Sequence, residues 1–558
     1  MVACRLGFIS SSLSCDTLTN RAKSSLDLQT KKSLQLASKG FGGLMYLCPV
    51  CVDMESMTFP DGFVWGVSSC GFQFEMGDPS KKGLDENTDW YSWVHDKKNI
   101  RKKVVSGDFP EDGPSYWTLY RQDHELASAL GLNCNRLGIE WSRIFPENTR
   151  DVEVDVKRAD DGRIAGIAGN QRTMEKLDGL ANANAVDHYR AIISDLRQRR
   201  MRPVVSLNHF TLPIWVHDPM ALTDPRHRGG PRGWYDEETV VEFWKFAAYV
   251  AWKLGDLVDS WATLNEPVVV AEGYIFPDRG FPPAIRDIGA FRKVLCNMVV
   301  AHARAYEGIK QWDSVKADPD SSSPAEVGLI QHISPMHPYR PGKDDVVSNF
   351  ASHVHNSYYL DAISNGWLDE NLNGVKEEEE MKRYLADRVD WIGINYYSRT
   401  VIKGGSAILA RLFAGLPYMP EIVKGYGNDC EPNRFSADNR PTSDFGWEIY
   451  PEGLVDALKL VSKYGKPMYV TENGIADLQD KLRPQFITAH LRELDRAINH
   501  EKLDVKGYFH WALIDNYEWA NGFRMKFGLY AVDFRTKART PRQSAALYKR
   551  IIETKDVV

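Results

Sequence analysis

The chain has 558 residues, 43% hydrophobic and 26% charged, which is enough for a large buried core. Its net charge of −6 arises from dispersed rather than clustered ions, so neither nucleic acid nor an anionic membrane surface is an expected partner. With 16 Trp, 24 Tyr and 23 Phe, the chain can fill that core and still have rings to stack on the apolar C–H faces of a sugar.

The first 56 residues differ from the rest. Residues 1–40 are rich in Ser and Leu and mostly basic where charged, a composition a transit peptide would share. The apolar run Phe41–Val52 is too short to span a bilayer and starts too late for an ordinary signal peptide. Residues 1–56 therefore read as a disordered leader or an upstream extension, with globular sequence starting at Met57. Four of the eight cysteines (Cys4, Cys15, Cys48 and Cys51) fall in this leader, and Cys48-Pro49-Val50-Cys51 has no second Cys/His pair to complete a zinc site. The other four, Cys70, Cys134, Cys296 and Cys430, are scattered. No disulfide framework is expected, and a reducing, cytoplasmic location fits.

From residue 57 to 558 the pattern alternates. Short β-rich runs are predicted at Phe63–Ser69, Asn133–Trp141, Arg202–Phe210, Val258–Leu264, Val327–Ile333, Trp391–Tyr397, Pro467–Thr471 and Val505–Ile514. Amphipathic helices are predicted at Tyr116–Leu130, Val186–Arg197, Glu237–Leu254 with Asp236 ahead of it, Ala290–Lys310, Pro451–Tyr464 and Pro484–His500. Eight strands alternating with helices predict an α/β fold, a single (β/α)₈ barrel with long loops after its strands. The competing doubly wound sheet would carry a glycine-rich phosphate loop early on, and Gly66-Val67-Ser68-Ser69-Cys70-Gly71 does not fit that fingerprint. Asp160-Asp161-Gly162 predicts a hairpin turn. Thr400–Ser443 reads as a surface excursion, and Glu377–Glu380 as a solvated helix face.

Chemistry is expected where the apolar runs stop. Trp261-Ala262-Thr263-Leu264-Asn265-Glu266-Pro267 and Tyr469-Val470-Thr471-Glu472-Asn473-Gly474 each end in a glutamate beside an asparagine. A buried strand that ends this way presents its carboxylate, and two of them suggest a paired-carboxylate site. Polar residues recur at the same end of the other runs: Gln73 and Glu75 after the first, then Arg136, His209, Asn395 with Tyr397, and Trp511. Any one of these has a structural explanation, but together they predict one convergent polar face. His209, His217 and His332 are not spaced as ligands, so no metal is expected.

Ordered motifs run from Met57 to about Thr554: Gly71-Phe72-Gln73-Phe74-Glu75, Arg136 to Pro146, Asn265-Glu266-Pro267, Ala301 to Tyr306, Asp390 to Tyr397, Ser443 to Trp447, Thr471-Glu472-Asn473-Gly474 and His510 to Trp519. Together they resemble glycoside hydrolase family 1, most nearly its archaeal-type branch. The resemblance implies a retaining, exo-acting β-glycosidase that releases a terminal β-D-glucosyl or galactosyl residue through a covalent glycosyl-enzyme. It needs no metal or organic cofactor. Glu472 would be the nucleophile and Glu266 the acid/base, with Arg136 and Tyr397 favouring the charged form of Glu472. Retention sets the two carboxyl groups about 5–5.5 Å apart.

By the same resemblance Gln73, His209, Asn265, Asn395, Glu518 and Trp519 hold the terminal sugar, Trp511 is its stacking floor, and Phe527 closes the edge. An anionic Glu518 would repel a 6-phosphate, which implies an unphosphorylated sugar. Glu266 separates this chain from plant myrosinases, which lack that acid/base. One departure is His209-Phe210, where much of the family has His-Trp. A homo-oligomer, dimer or tetramer, is a further implication. The alternative activity is transglycosylation by the same two glutamates; a catalytically silent sugar-binding protein would have lost one of them.

Overall fold

A computed structural model describes residues 59–406, 408, 410–411 and 415–556. The predicted leader, its four cysteines and Met57 lie outside the described residues. Eight strands form a closed barrel: β1 (Val64–Ser68), β2 (Cys134–Gly138), β3 (Arg202–Asn208), β4 (Ser260–Asn265), β5 (Glu326–His332), β6 (Trp391–Asn395), β7 (Met468–Asn473) and β8 (Val505–His510). Each pairs in parallel with its sequence neighbours, and β1 closes on β8. Strands covered on both faces need no polar alternation, which is why they read as unbroken apolar runs.

The barrel is plugged near its start. Val64, Cys134 and Phe509 form one buried cluster, and Ala262, Ile330 and Trp391 another, with Val204 and Tyr469 packed against both. Glycines make this possible: a Cβ on Gly66 would fall 2.4 Å from the Phe509 ring, and one on Gly328 would fall 2.4 Å from that of Trp391. The functional face is left to the other end.

Helices follow the strands, including the predicted ones at Tyr116–Ala129, Ala183–Gln198, Glu238–Leu254, Ile288–Trp312, Glu452–Ser462 and Arg483–Asn499. Those at Asp345–Ser352, Tyr358–Asn365 and Gln543–Thr554 complete the ring. The turn at Asp160-Asp161-Gly162 joins Asp155–Arg158 to Ile164–Ala168 in an antiparallel hairpin.

Three expectations are corrected. Asp236 does not cap its helix, since its carboxylate turns back to the Arg232 N–H at 2.9 Å. The Thr400–Ser443 excursion contains Thr400–Gly404 and Pro420–Ile422, which form a small sheet with Met336–Pro338. Glu378–Glu380 is a short 3₁₀ turn, and Glu380 is buried, accepting from Trp367 Nε1 at 3.2 Å and the Glu370 N–H at 3.1 Å.

Candidate active site

Both glutamates stand where a strand breaks register. β4 slips against β5 between Ala262 and Asn265, and β7 slips against β6 between Val470 and Glu472. Such irregularities re-aim side chains at the end of a ladder. At Glu266 the backbone turns left-handed (φ 45°), its N–H donates to the Ile330 carbonyl at 2.8 Å, and Pro267 opens the next short helix.

The two carboxyl groups have opposite surroundings. Glu472 Oε1 accepts from Arg136 Nη1 at 2.5 Å, and its Oε2 accepts from the Tyr397 hydroxyl at 2.6 Å. A cation and a neutral donor thus hold one Glu472 oxygen each. Tyr397 can only donate here, because burial and the charges of Glu472 and Glu266 push its phenol far above the ordinary range. Glu266 accepts one neutral hydrogen bond, from Asn395 Nδ2 at 2.8 Å. Burial first, and the charge of Glu472 second, push the Glu266 carboxyl up to about 8.

A shared frame holds the pair. Arg136 Nη2 donates to Asn265 Oδ1 at 2.7 Å, and its Nε donates to Ser206 Oγ at 3.0 Å. Asn395 Nδ2 also donates to Asn265 Oδ1 at 3.0 Å, while the Thr471 hydroxyl donates to Asn395 Oδ1 at 2.7 Å. Arg136 Nη2 lies 3.3 Å from His209 Nδ1 and Asn265 Nδ2 lies 3.2 Å from its Nε2, so donors face both ring nitrogens. Burial and Arg136 push the His209 imidazole well below its usual range.

A cavity of about 1570 Å³ opens over this frame, lined by His209, Glu266, Tyr397, Glu472, Trp511, Glu518, Trp519 and Phe527 among others. Trp511 lies 6.0 Å from the His209 ring, nearly parallel to it, and its carbonyl sits where a Cβ on Gly474 would be, 1.8 Å away. Trp519 stacks on Phe72 at 5.6 Å, and Phe527 lies 6.3 Å from Tyr397. Phe210 packs its ring on Trp519 at 4.9 Å. Arg136, Asn265, Asn395 and Gln73 lie behind the wall, at most 1% exposed.

Gln73 Nε2 donates to the Tyr517 carbonyl at 3.0 Å and to Glu518 Oε2 at 3.3 Å, which leaves its Oε1 buried without a protein partner. A buried acceptor of this kind can take a hydrogen bond from a sugar hydroxyl. The Glu518 carboxyl, expected to be anionic, is instead pushed up to about 8 by burial and by Glu472. Glu75 leaves the site: it pairs with Arg143 at 2.6 Å and accepts from Tyr189 at 2.9 Å. Ser206 and Thr471 were not singled out from the sequence as site residues, although each lies within a predicted strand; they accept from Arg136 Nε and donate to Asn395 Oδ1, respectively.

One carboxylate clamped by a cation, a protonated partner beside it and an aromatic-walled cavity define a barrel enzyme that cleaves glycosidic bonds. The profile of glycosyl hydrolase family 1 matches residues 55–156 and 173–557. A β-galactosidase of Pyrococcus woesei is 45% identical over 506 residues, covering 89% of this chain and 98% of its own length. The crystal structure of the β-glycosidase from the hyperthermophile Thermosphaera aggregans superposes with a TM-score of 0.81 at 42% identity, covering 90% of this chain and 98% of that one. A β-glucosidase mutant derived from a hyperthermophilic tetrameric structure does so with a TM-score of 0.78 at 41% identity, covering 89% and 96%. The chain belongs to glycosyl hydrolase family 1 and is a retaining β-glycosidase.

Proposed function

We propose that Glu472 is the nucleophile and Glu266 the acid/base, acting on a terminal, unphosphorylated β-D-glucosyl or β-D-galactosyl residue. The observation that carries this is the contrast between the carboxyl groups: Glu472 holds two donors at 2.5 and 2.6 Å, while Glu266 is buried beside it with its carboxyl pushed up to about 8. A Glu472 oxygen attacks the anomeric carbon as Glu266 gives its proton to the departing oxygen. A water then loses a proton to Glu266, its oxygen bonds to the anomeric carbon, and the ester to Glu472 breaks. Asn265, His209, Gln73 Oε1 and Glu518 take the sugar hydroxyls, and Trp511, Trp519 and Phe527 enclose the ring.

Glu472→Gly is expected to abolish turnover of a nitrophenyl β-glycoside and to recover it with added azide, giving the glycosyl azide. Near-normal rates without azide would remove Glu472 from its role. The tetrameric origin named for a neighbour supports a homo-oligomer, and sedimentation would test it. The unpaired Cys70, Cys134, Cys296 and Cys430 suit a reducing cytoplasm; localisation of a tagged chain would test this.

A further inference from the structure

On the Glu266 side, the cavity wall carries a relay of ionisable groups that bond cleavage does not use. The short helix that starts after Glu266 ends at Glu272. Glu272 Oε1 lies 2.9 Å from His355 Nδ1, and His355 Nε2 lies 2.9 Å from His332 Nδ1. Arg279 pairs with the other oxygen of Glu272. All four residues line the cavity.

His332 ends β5 and pairs in register with Asn395, the donor to Glu266. Two residues earlier, Ile330 takes the Glu266 N–H. The His332 ring stands 6.4 Å from that of Tyr397. His332 is therefore a neighbour of the acid/base, where a leaving group departs.

His355 is held firmly. It lies in a single π-helical turn, His353–Ser357, inserted between two α-helices. Such turns are rare and gather at functional sites. The His355 carbonyl accepts from Gln331 Nε2 at 2.7 Å, and Asn356 bridges both backbone groups of Ser334 at 2.9 Å.

The relay holds the His332 ring in place. Burial opposes the charge on Glu272, but Arg279 and His355 override it and hold the carboxyl down at about 2. An ionised Glu272 only accepts, so His355 Nδ1 carries a proton. His355 Nε2 and His332 Nδ1 share one proton across their 2.9 Å contact. Burial and the neighbouring His355 push the His332 imidazole down to about 3. Its Nε2 has no hydrogen-bond partner among the described residues, and the residue lines the cavity.

We propose that His332 is a specificity-determining residue: its Nε2 shares a hydrogen bond with a hydroxyl of the leaving group, and His355 with Glu272 holds its ring in position for it. The chain would thereby favour a sugar as leaving group over an aryl group that lacks hydroxyls. This rests on the β-glycosidase reading.

The test compares wild type with His332→Phe on a β-linked glucose disaccharide and on nitrophenyl β-glucoside. His332→Phe should lose about tenfold in kcat/KM on the disaccharide and less than about threefold on the nitrophenyl substrate, as expected for one lost hydrogen bond. His332→Gln, which keeps an acceptor, should recover part of the loss. His355→Phe should shift the same ratio in the same direction, and its nitrophenyl activity reports folding. Equal losses on both substrates, or none on the disaccharide, would overturn the proposal. A wild type that cleaves neither substrate would sink the β-glycosidase reading and this proposal with it.

Discussion

Tyr397→Phe isolates one hydrogen bond to Glu472. The ring should stay in place, because its packing on Trp447 at 5.2 Å and Phe527 at 6.3 Å does not involve the hydroxyl. What disappears is a 2.6 Å bond to a carboxylate. Hydrogen bonds to charged groups contribute about 1.5–3 kcal/mol. At about 1.36 kcal/mol per factor of ten, kcat/KM should fall roughly ten- to 150-fold. Arg136 still holds the other oxygen at 2.5 Å, so activity should not vanish. The contact is to the nucleophile and not to the sugar, so kcat should fall with kcat/KM while KM changes little. Initial rates on nitrophenyl β-glucoside across a KM-spanning range measure this. A variant within twofold of wild type, or a loss confined to KM, would refute the reasoning.

Three other outcomes follow from the same geometry. Glu266 must hold its proton in the free enzyme, and its carboxyl is pushed up to about 8. kcat/KM should therefore stay level below that pH and fall about tenfold per unit above it, and a pH–rate profile with no basic limb between about 7 and 9 would contradict the assignment. Gly66→Ala places a Cβ 2.4 Å from the buried Phe509 ring; the clash should cost about 1–3 kcal/mol in denaturant unfolding and be partly relieved by Phe509→Leu. Burial, and then Glu472, push the Glu518 carboxyl up to about 8, so it repels a 6-phosphate fully only above that pH; discrimination against 6-phospho-substrates should strengthen as the pH rises through about 8. Discrimination that does not change across that range would remove Glu518 as a filter.

Much of this was legible because the barrel's physics leaves a mark on the chain. Strands buried on both sides are largely apolar, and the residues that interrupt them at one end either line the cavity, as His209, Glu266 and Glu472 do, or back its wall, as Arg136, Asn265 and Asn395 do. The strand boundaries at Glu472 and Asn473 were less clear, since β7 continues through both and the slip at Val470 that aims Glu472 has no sequence signature. Gln73 and Glu75 looked alike because both follow β1. They lie two apart at a helical turn (Gly71–Phe74), so they point to opposite sides, one to Glu518 and the other to Arg143. Glu380 looked solvated within an acidic run, yet Trp367 and Glu370 fold over it. The elements after β5 hid for another reason: the Ser-, His- and Asn-containing stretch around His353–Ser357 is π-helical and does not keep the 3.6-residue period. His332 was noticed only as a poor metal ligand, because its partner His355 is brought to it by that turn.

The most direct test is to follow hydrolysis of a β-glycoside by proton NMR from the first turnover, before the sugar mutarotates. Attack by Glu472 on the face opposite the leaving group, then by water on the face the leaving group left, requires that the β-anomer appear first. An α-anomer as the initial product would mean that water attacks directly from the opposite side, and no covalent ester to Glu472 could then be part of the reaction.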